Sequence, residues 1–318
     1  MFNQDYSMKI GCCWAYAIAK YGYPPPIGGV LKAASEVADL GFGLFELEAI
    51  EEKNLKEIEA DAERIAEHYK KAGVKITNFS NLFRDIINQD HKKRKTAIEN
   101  FSKGVELAKF FGADTVMIDT WVPPLRFIDD VPYKDKLEYG KRFTYEVDPD
   151  FRWSVFWDLL VGSITECNRI AKSKGLKLCI EPRVGENISN TDAILRLMDE
   201  VDSDNFGAVL DTAHLHAQKE TLPLSVEKLG EKIFIVHVSD NDNRENYHLA
   251  LGQGTIDWKG LFKALAKYRY NGPVLIDIIQ NGFTGSIEQE YINAREFLLN
   301  LGKKIGIKME CPPPQKMK

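Results

Sequence analysis

Short apolar runs rich in valine and isoleucine alternate along the chain with longer stretches in which apolar residues recur at helical spacing. This alternation is typical of β-α units that build a parallel sheet. Helical stretches such as those ending at Gly41, Gly73, Gly112 and Gly175 close on a glycine, as helices commonly do. The predicted strands are residues 8–16, 42–50, 74–82, 114–121, 176–183, 206–214, 233–240 and 272–280.

Eight strands with intervening helices over about 300 residues predict an α/β protein with a single (β/α)₈ TIM barrel. An open doubly wound sheet is the alternative, but no GxGxxG motif follows the first strand. We assign residues 1–305 to the barrel domain. Residues 306–318 contain three consecutive prolines and no core pattern, so we expect a loosely ordered tail.

One connection, residues 121–152, is much longer than the others and follows the fourth strand. It is dense in prolines, aromatic residues and alternating charges. Loops of this length in a compact domain are usually functional or disordered. The aromatic content favours an ordered lid or a partner surface over a disordered insertion.

Composition narrows the classes of partner. The formal net charge is -5, whereas nucleic-acid-binding proteins usually carry a basic stripe. Five cysteines without CxxC spacing are typical of a reducing cytoplasm. The sequence shows neither a secretory signal pattern nor an apolar run of about 18 residues. We therefore expect a cytoplasmic protein with no nucleic-acid partner and no membrane partner.

Four consecutive predicted strands end in polar residues: Glu181, Asp211, His237 and Asp277. Active sites of TIM barrels lie at the C-terminal ends of the strands. Three carboxylates crowded at one rim would repel each other unless a cation held them. Mixed carboxylate and imidazole ligands predict one divalent metal ion per chain, with Mn²⁺ favoured and Mg²⁺, Co²⁺, Zn²⁺ or Fe²⁺ as alternatives.

Four segments, "CIEPR", "LDTAHLH", "VHVSDND" and "LGQGTIDW", resemble in order and spacing the metal-binding segments of the xylose isomerase-like TIM-barrel superfamily. That superfamily contains sugar isomerases and epimerases, inosose-processing enzymes such as inosose dehydratase, and an apurinic-site endonuclease branch. The resemblance covers essentially the whole chain. It implies that Glu181, Asp211, His237 and Asp277 bind the metal and that His214 lies near substrate oxygens.

The sequence departs from this pattern in two ways. The strand-eight ligand is Asp277, whereas the epimerases have a glutamate that also acts as an acid/base. The endonuclease branch needs histidines at the ends of strands three and four, where this chain has "NFSNLF" and "MIDTW". The three-metal cluster of that branch is therefore not expected.

The resemblance implies a metal-dependent sugar isomerase or epimerase that transfers a proton next to the carbonyl of a ketose or keto-sugar. Glu181 and Asp277 would be the acid/base pair, and His214 would polarise a substrate oxygen. For tryptophans near strand ends, stacking on a sugar and packing in the core are equally compatible with the sequence. The substrate-binding candidates are Glu186, His216, His248, Trp14 and Trp121.

Two alternatives keep the barrel and the metal. One is a lyase, either an inosose-type dehydratase or an enzyme that eliminates an aglycone as C-glycoside deglycosidases do. In that case a small partner subunit would dock over residues 121–152. The other is a non-catalytic sugar-binding or accessory subunit. Barrels of this group often pair, so a homo-oligomer is expected.

Overall fold

Eight parallel strands form the centre of the molecule in a computed structural model, which describes residues 6–128, 144–279 and 285–315. Each strand lies within a range predicted from the sequence. The strands are β1 (Met8–Cys12), β2 (Leu44–Ala49), β3 (Lys75–Asn81), β4 (Thr115–Ile118), β5 (Lys177–Ile180), β6 (Phe206–Asp211), β7 (Ile233–Val238) and β8 (Pro273–Ile276).

The strands pair in sequence order, and β8 pairs with β1, so the sheet closes on itself. The pairing aligns Cys12 with Ile276 where the barrel closes, and Asp211 with His237 between β6 and β7. The predicted (β/α)₈ barrel is confirmed, and the open doubly wound sheet is excluded. Closure brings the C-terminal ends of all eight strands to one rim.

Helices surround the barrel and bury one face against it. The helix Thr191–Val201 shows how the sequence specifies such an element: the Asn190 side chain accepts a hydrogen bond from the Ala193 amide, and Ile194 and Leu197 are buried at helical spacing. The helices are α1 (Ala15–Tyr21), α2 (Ile27–Asp39), α3 (Glu52–Ala60), α4 (Ala62–Ala72), α5 (His91–Phe110), α6 (Trp153–Ser173), α7 (Thr191–Val201), α8 (Thr212–Ala217), α9 (Leu222–Leu229), α10 (Trp258–Lys267) and α11 (Ile287–Ile305). No helix in the described ranges is both long enough and apolar enough to cross a bilayer.

The C-terminal segment differs from the expected loose tail. Met309–Glu310 form a short strand that pairs in parallel with β1. Beyond it, the Gly43 amide donates to the Pro312 carbonyl at 2.8 Å, and the Gln315 amide donates to the Gly73 carbonyl at 2.8 Å. The prolines cannot donate hydrogen bonds, but their carbonyls still accept them. Residues 306–315 are therefore attached to the barrel, and residues 316–318 lie outside the described range.

The insertion after β4 is described at its two ends. Arg126–Phe127 and Tyr145–Glu146 form a two-stranded antiparallel pair, and Tyr145 is 54% exposed. Val147 and Val155 nearby are also exposed apolar residues. Residues 129–143, about half of the insertion predicted to form a lid or partner surface, lie outside the described residues.

Candidate metal centre

The ends of β5 to β8 bring together the four residues predicted as metal ligands. Glu181 directly follows β5, Asp211 ends β6, His237 is the penultimate residue of β7, and Asp277 directly follows β8. All four are buried, with exposures between 0% for Asp211 and 7% for Asp277. Ionised carboxylates without compensation are costly at such burial, so this rim needs positive charge.

Glu181, Asp211 and His237 form one of three groups of described residues with metal-ligand spacing, with one ligand atom from each within 4.8 Å of the others. His237 Nδ1 lies 2.7 Å from Glu181 Oε1 and 4.0 Å from Asp211 Oδ2. Asp211 Oδ2 is buried and has no hydrogen-bond partner among the described residues. A buried carboxylate oxygen in that state, beside a second carboxylate and an imidazole, fits a divalent cation.

The local structure explains why only one oxygen of Asp211 is satisfied. β6 runs directly into α8, and Asp211 is the residue that caps this helix. Its Oδ1 accepts a hydrogen bond from the His214 amide at 2.7 Å. The cap fixes the carboxylate and leaves Oδ2 for a ligand. Burial, reinforced by the nearby charges of Glu181 and Asp277, raises the pKa of Asp211 to about 7.

Glu46, on β2 across the barrel, contacts the other face of His237. Its Oε2 lies 3.4 Å from His237 Nε2, and the carboxylate also accepts hydrogen bonds from Asn78 Nδ2 and Cys13 Sγ, each at 3.0 Å. Histidines that bind metals usually donate their second ring N–H to a carboxylate. The position of Glu46 therefore suits it to orient His237, with Nδ1 directed toward Glu181 and Asp211. Although burial opposes it, the charges of Glu46 and Glu181 raise the pKa of His237 well above its usual value.

Asp277 is paired with His248. Asp277 Oδ2 lies 2.8 Å from His248 Nδ1, and Ser239 Oγ lies 3.0 Å from the same nitrogen. Burial opposes the charge on each partner, yet the pair raises the pKa of His248 and lowers that of Asp277. In the described structure Asp277 lies in none of the three groups with metal-ligand spacing. Its carboxylate nevertheless lines the same cavity as Glu181 and His237.

His214 is enclosed by donors from the loops after β5 and β7. The Val184 amide lies 3.2 Å from His214 Nδ1, Asn246 Nδ2 lies 3.0 Å from the same atom, and Arg183 Nε lies 3.3 Å from Nε2. Burial and the nearby charges of His248 and Arg183 lower the pKa of His214 well below its usual value. The ring is therefore neutral at pH 7. Asp211, His214 and His248 form another group with metal-ligand spacing.

Arg183 and Asp119 were not among the predicted site residues, yet both lie at the mouth of the centre. Arg183 Nη1 donates to Asp119 Oδ2 at 2.7 Å, and Arg183 Nε lies 3.4 Å from Glu181 Oε2. Burial raises the pKa of Asp119 to about 6 although Arg183 opposes the shift. The "CIEPR" and "MIDTW" segments contain both residues, but the sequence alone did not indicate that they meet.

Two of the predicted substrate-binding residues lie at the entrance. Glu186 accepts a hydrogen bond from the Thr120 amide at 3.0 Å, so its loop turns inward. Burial and the charge of Asp119 raise the pKa of Glu186 to about 8. Trp121 is 8% exposed and lines the outer cavity described below.

Two other predicted residues have structural contacts. His216 Nε2 lies 2.9 Å from Thr255 Oγ1, which ties α8 to the loop before α10. Trp14 is 1% exposed, and its ring packs against Phe45 with centroids 5.7 Å apart. The structure therefore favours the core role for Trp14 and a loop-fixing role for His216.

The whole centre is rich in carboxyl groups. Among the described residues, one arginine, Arg183, and three histidines lie beside these carboxyl groups, and His214 is neutral. Burial raises the pKa of Glu48 well above its usual value, and the charge of Glu46 adds to this. A divalent cation would offset the negative charge that these carboxyl groups carry when they ionise. The buried carboxylates in and around the mouth are Glu46, Glu48, Asp119, Glu181, Glu186, Asp211 and Asp277.

Two adjoining cavities lead to this centre. The inner cavity, of about 30 Å³, is bordered by Glu181, His237 and Asp277. The outer cavity, of about 530 Å³, lies toward the loops after β2, β3 and β4. Tyr23 and Arg183 border both, so the outer cavity is the entrance to the inner one.

Comparison with known proteins agrees with this architecture. Residues 34–301 match the family described as xylose isomerase-like TIM barrel. The chain belongs to this family. Among solved structures, a D-allulose 3-epimerase from Methylomonas sp. superposes with a TM-score of 0.72 at 16% identity, covering 94% of this chain and 99% of that one. A 3-keto-D-glucoside 4-epimerase from E. coli gives a TM-score of 0.70 at 16% identity, covering 92% and 100%.

A third similar structure, described as the IOLI protein with a bound zinc atom, gives a TM-score of 0.70 at 20% identity, with 94% of this chain and 99% of that chain covered. Among sequence relatives, an inosose dehydratase from Clostridium beijerinckii is 25% identical over 159 residues, covering 45% of this chain. The alignment spans about half, 53%, of that relative. An inosose isomerase from Bacillus subtilis is 27% identical over 129 residues, covering 38% of this chain and 46% of that relative.

Proposed function

We propose that this protein is a divalent-metal-dependent isomerase or epimerase that transfers a proton next to the carbonyl of a ketose or keto-sugar. The observation that carries the proposal is the group formed by Glu181, Asp211 and His237, in which Asp211 Oδ2 is buried without a hydrogen-bond partner among the described residues. The epimerases among the similar folds and the inosose enzymes among the relatives support the sugar-like substrate.

Glu181, Asp211 and His237 would hold one ion per chain, and Asp277 would join them on turning away from His248. The oxygen-rich ligand set favours Mn²⁺, and zinc in one similar structure keeps Zn²⁺ as the main competitor. When bound, such an ion stabilises the negative charge that develops on the substrate oxygen during proton transfer. Glu46 positions the ring of His237 through Nε2.

Glu181 and Asp277 are the proposed acid/base pair, since both carboxylates border the inner cavity. One removes the proton from the carbon next to the carbonyl, and the other returns a proton to the substrate. Arg183 reaches the same cavity and contacts Glu181, so it would donate to a substrate hydroxyl while restraining that carboxylate. Neutral His214 accepts a hydrogen bond from Arg183 Nε and so positions the arginine side chain.

Elimination of water from an inosose is the second candidate. The sequence relatives with that name support it, and it needs the same first step, removal of a proton next to a carbonyl. The two reactions diverge afterwards, since dehydration also needs an acid that protonates the leaving hydroxyl. Glu186, whose pKa is raised to about 8, retains the proton for that purpose at pH 7.

Incubation in D₂O tests the proposal. Metal-reconstituted protein is mixed with fructose, the C3 ketone of glucose and scyllo-inosose, and products are followed by NMR. Deuterium at the carbon next to the carbonyl, lost after chelation and after Glu181→Gln, is expected. The surface variant Glu166→Gln serves as the control because Glu166 pairs with Arg169 on the surface of α6. A new alkene or diketone signal would assign dehydration, and tight sugar binding with no exchange would assign a binding protein.

A further inference from the structure

The inner cavity is too small for a sugar ring. A cavity needs about 10–15 Å³ to admit one water molecule, so about 30 Å³ leaves room for an ion and little more. The reacting carbons of a substrate must therefore reach the centre from the neck, where Tyr23, Leu82 and Arg183 border both cavities. The remainder of the substrate then lies in the outer cavity.

The outer cavity is larger than one sugar ring requires. Its volume of about 530 Å³ falls within the range of about 300–1,000 Å³ that is typical of sites for whole small molecules. The lining contains the apolar side chains of Leu82, Phe83 and Trp121 and, in addition, polar and charged side chains such as Lys93 and Asn100. A second ring with apolar faces and polar edges matches this lining.

Trp121 is held in place by its backbone. Its φ is +50°, a left-handed conformation that bulky residues rarely adopt. The Trp121 carbonyl accepts hydrogen bonds from Asn187 Nδ2 at 2.8 Å and from the Asn187 amide at 3.1 Å. Backbone strain of this kind persists where the surroundings fix it, often at ligand sites. The backbone at Trp121 is therefore fixed, and its buried side chain forms part of the cavity lining at the entrance.

We propose that the outer cavity binds an aglycone, so that the substrate is a glycoside of a keto-sugar with a ring-sized aglycone rather than a free monosaccharide. This inference rests on the proposed function, because it places the keto-sugar ring at the neck. Trp121 and Phe83 pack on the faces of the aglycone ring, and Lys93 and Asn100 contact its polar edge. A free monosaccharide would leave this cavity filled with water.

The test compares the C3 ketones of glucose, methyl β-glucoside, phenyl β-glucoside and cellobiose. For each, kcat/KM for solvent deuterium exchange and Kd by calorimetry are measured on the metal-loaded full chain. The phenyl or cellobiose derivative is expected to exceed the methyl derivative by roughly tenfold, which is the size of one well-packed aromatic contact. Which of the two is preferred assigns an aromatic or a sugar aglycone.

Two variants test whether the preference for the larger glycosides arises at Trp121. Trp121→Ala should reduce the preference to within about twofold, whereas Trp153→Ala, which removes a tryptophan from α6 outside the cavity, should leave it intact. If Trp121→Ala does not fold, Val122→Trp fills the same cavity and should impair the larger glycosides while sparing the ketone of glucose.

The outcomes separate this inference from the proposed function. Equal exchange for all four sugars, or a preference that survives Trp121→Ala, overturns the aglycone site and leaves the metal-dependent reaction standing. Phenyl-selective binding that depends on Trp121 but occurs without exchange retains the aglycone site and overturns the reaction. Loss of exchange together with unselective binding overturns both.

Discussion

The inner and outer parts of the rim are built differently. In the inner part, at the ends of β5 to β8, buried groups restrain one another: His237 contacts Glu181 at one ring nitrogen and Glu46 at the other. The outer part is formed by loops after β2, β3 and β4, and it leaves an open cavity of about 530 Å³. The difference suggests that the inner part carries the reaction, which needs fixed geometry, while the outer part selects the substrate.

The largest expected effect comes from the inner part. Glu181→Gln removes both a proposed ligand and a proposed base, so exchange of substrate protons should fall by roughly 10³-fold or more. The NMR exchange assay in D₂O measures this change. A variant that keeps more than about a tenth of wild-type exchange would contradict the assignment of Glu181.

Glu46 offers a sharper test, since it touches His237 without belonging to the Glu181–Asp211–His237 group. Glu46→Gln should weaken metal binding by about 10–100-fold through loss of the orienting carboxylate. Calorimetric titration with Mn²⁺ and Zn²⁺ measures this affinity, and thermal unfolding of the metal-free form shows whether the fold is kept. Cys167→Ser is the control, because Cys167 is a buried cysteine on α6 that belongs to none of the groups with metal-ligand spacing in the described structure. Unchanged affinity in Glu46→Gln would mean that Glu46 is only part of the core.

The pH dependence of stability tests the environment of Glu186, which lies between the two parts. The pKa of Glu186 is raised from 4.5 to about 8 by burial, so its folded state favours the protonated form. Its stabilising contribution is therefore present below pH 4.5 and is lost as pH rises through about 8. Glu186→Gln should lose less stability than the wild type between pH 5 and pH 9. Urea unfolding of the metal-free proteins measures this change. If the free energy of unfolding depends on pH equally in both proteins, the raised pKa of Glu186 is contradicted.

The smallest effect is expected in the outer part. Lys92 lines the outer cavity at the start of α5 and is largely exposed. Lys92→Ala should raise KM for a glycosidic keto-sugar a few-fold, with kcat and metal content unchanged, because an exposed contact contributes little. Steady-state kinetics give both parameters. A fall in kcat comparable with that of Glu181→Gln would contradict the proposed functional difference between the two parts.

The sequence predicted the elements that follow from local patterns. Alternating apolar and helical segments indicated the barrel, and the polar residues that end β5 to β8 indicated the rim on which Glu181, Asp211 and His237 meet. Contacts across the barrel were not predictable in this way. Glu46 on β2 reaches His237 on β7 only because the sheet closes, and no local spacing encodes that distance.

Other residues depend on loop conformation. His216 stands two positions after His214, yet the helical turn of α8 directs it toward Thr255. Arg183 and Asp119 meet because loops after β5 and β4 converge, which a pattern of single residues does not reveal. The C-terminal segment, expected to be loose because of its prolines, is attached to β1 by backbone pairing, and Ile307 and Met309 also pack against the core.

The most direct test of the central claim is the metal content of the protein. Wild-type protein and Asp211→Asn, both reconstituted with Mn²⁺ or Zn²⁺ and dialysed, are analysed by plasma mass spectrometry. We predict about one ion per chain in the wild type and almost none in Asp211→Asn, because the amide cannot replace the buried oxygen that lacks a partner among the described residues. A wild type without metal, or equal metal in both proteins, would contradict the claim.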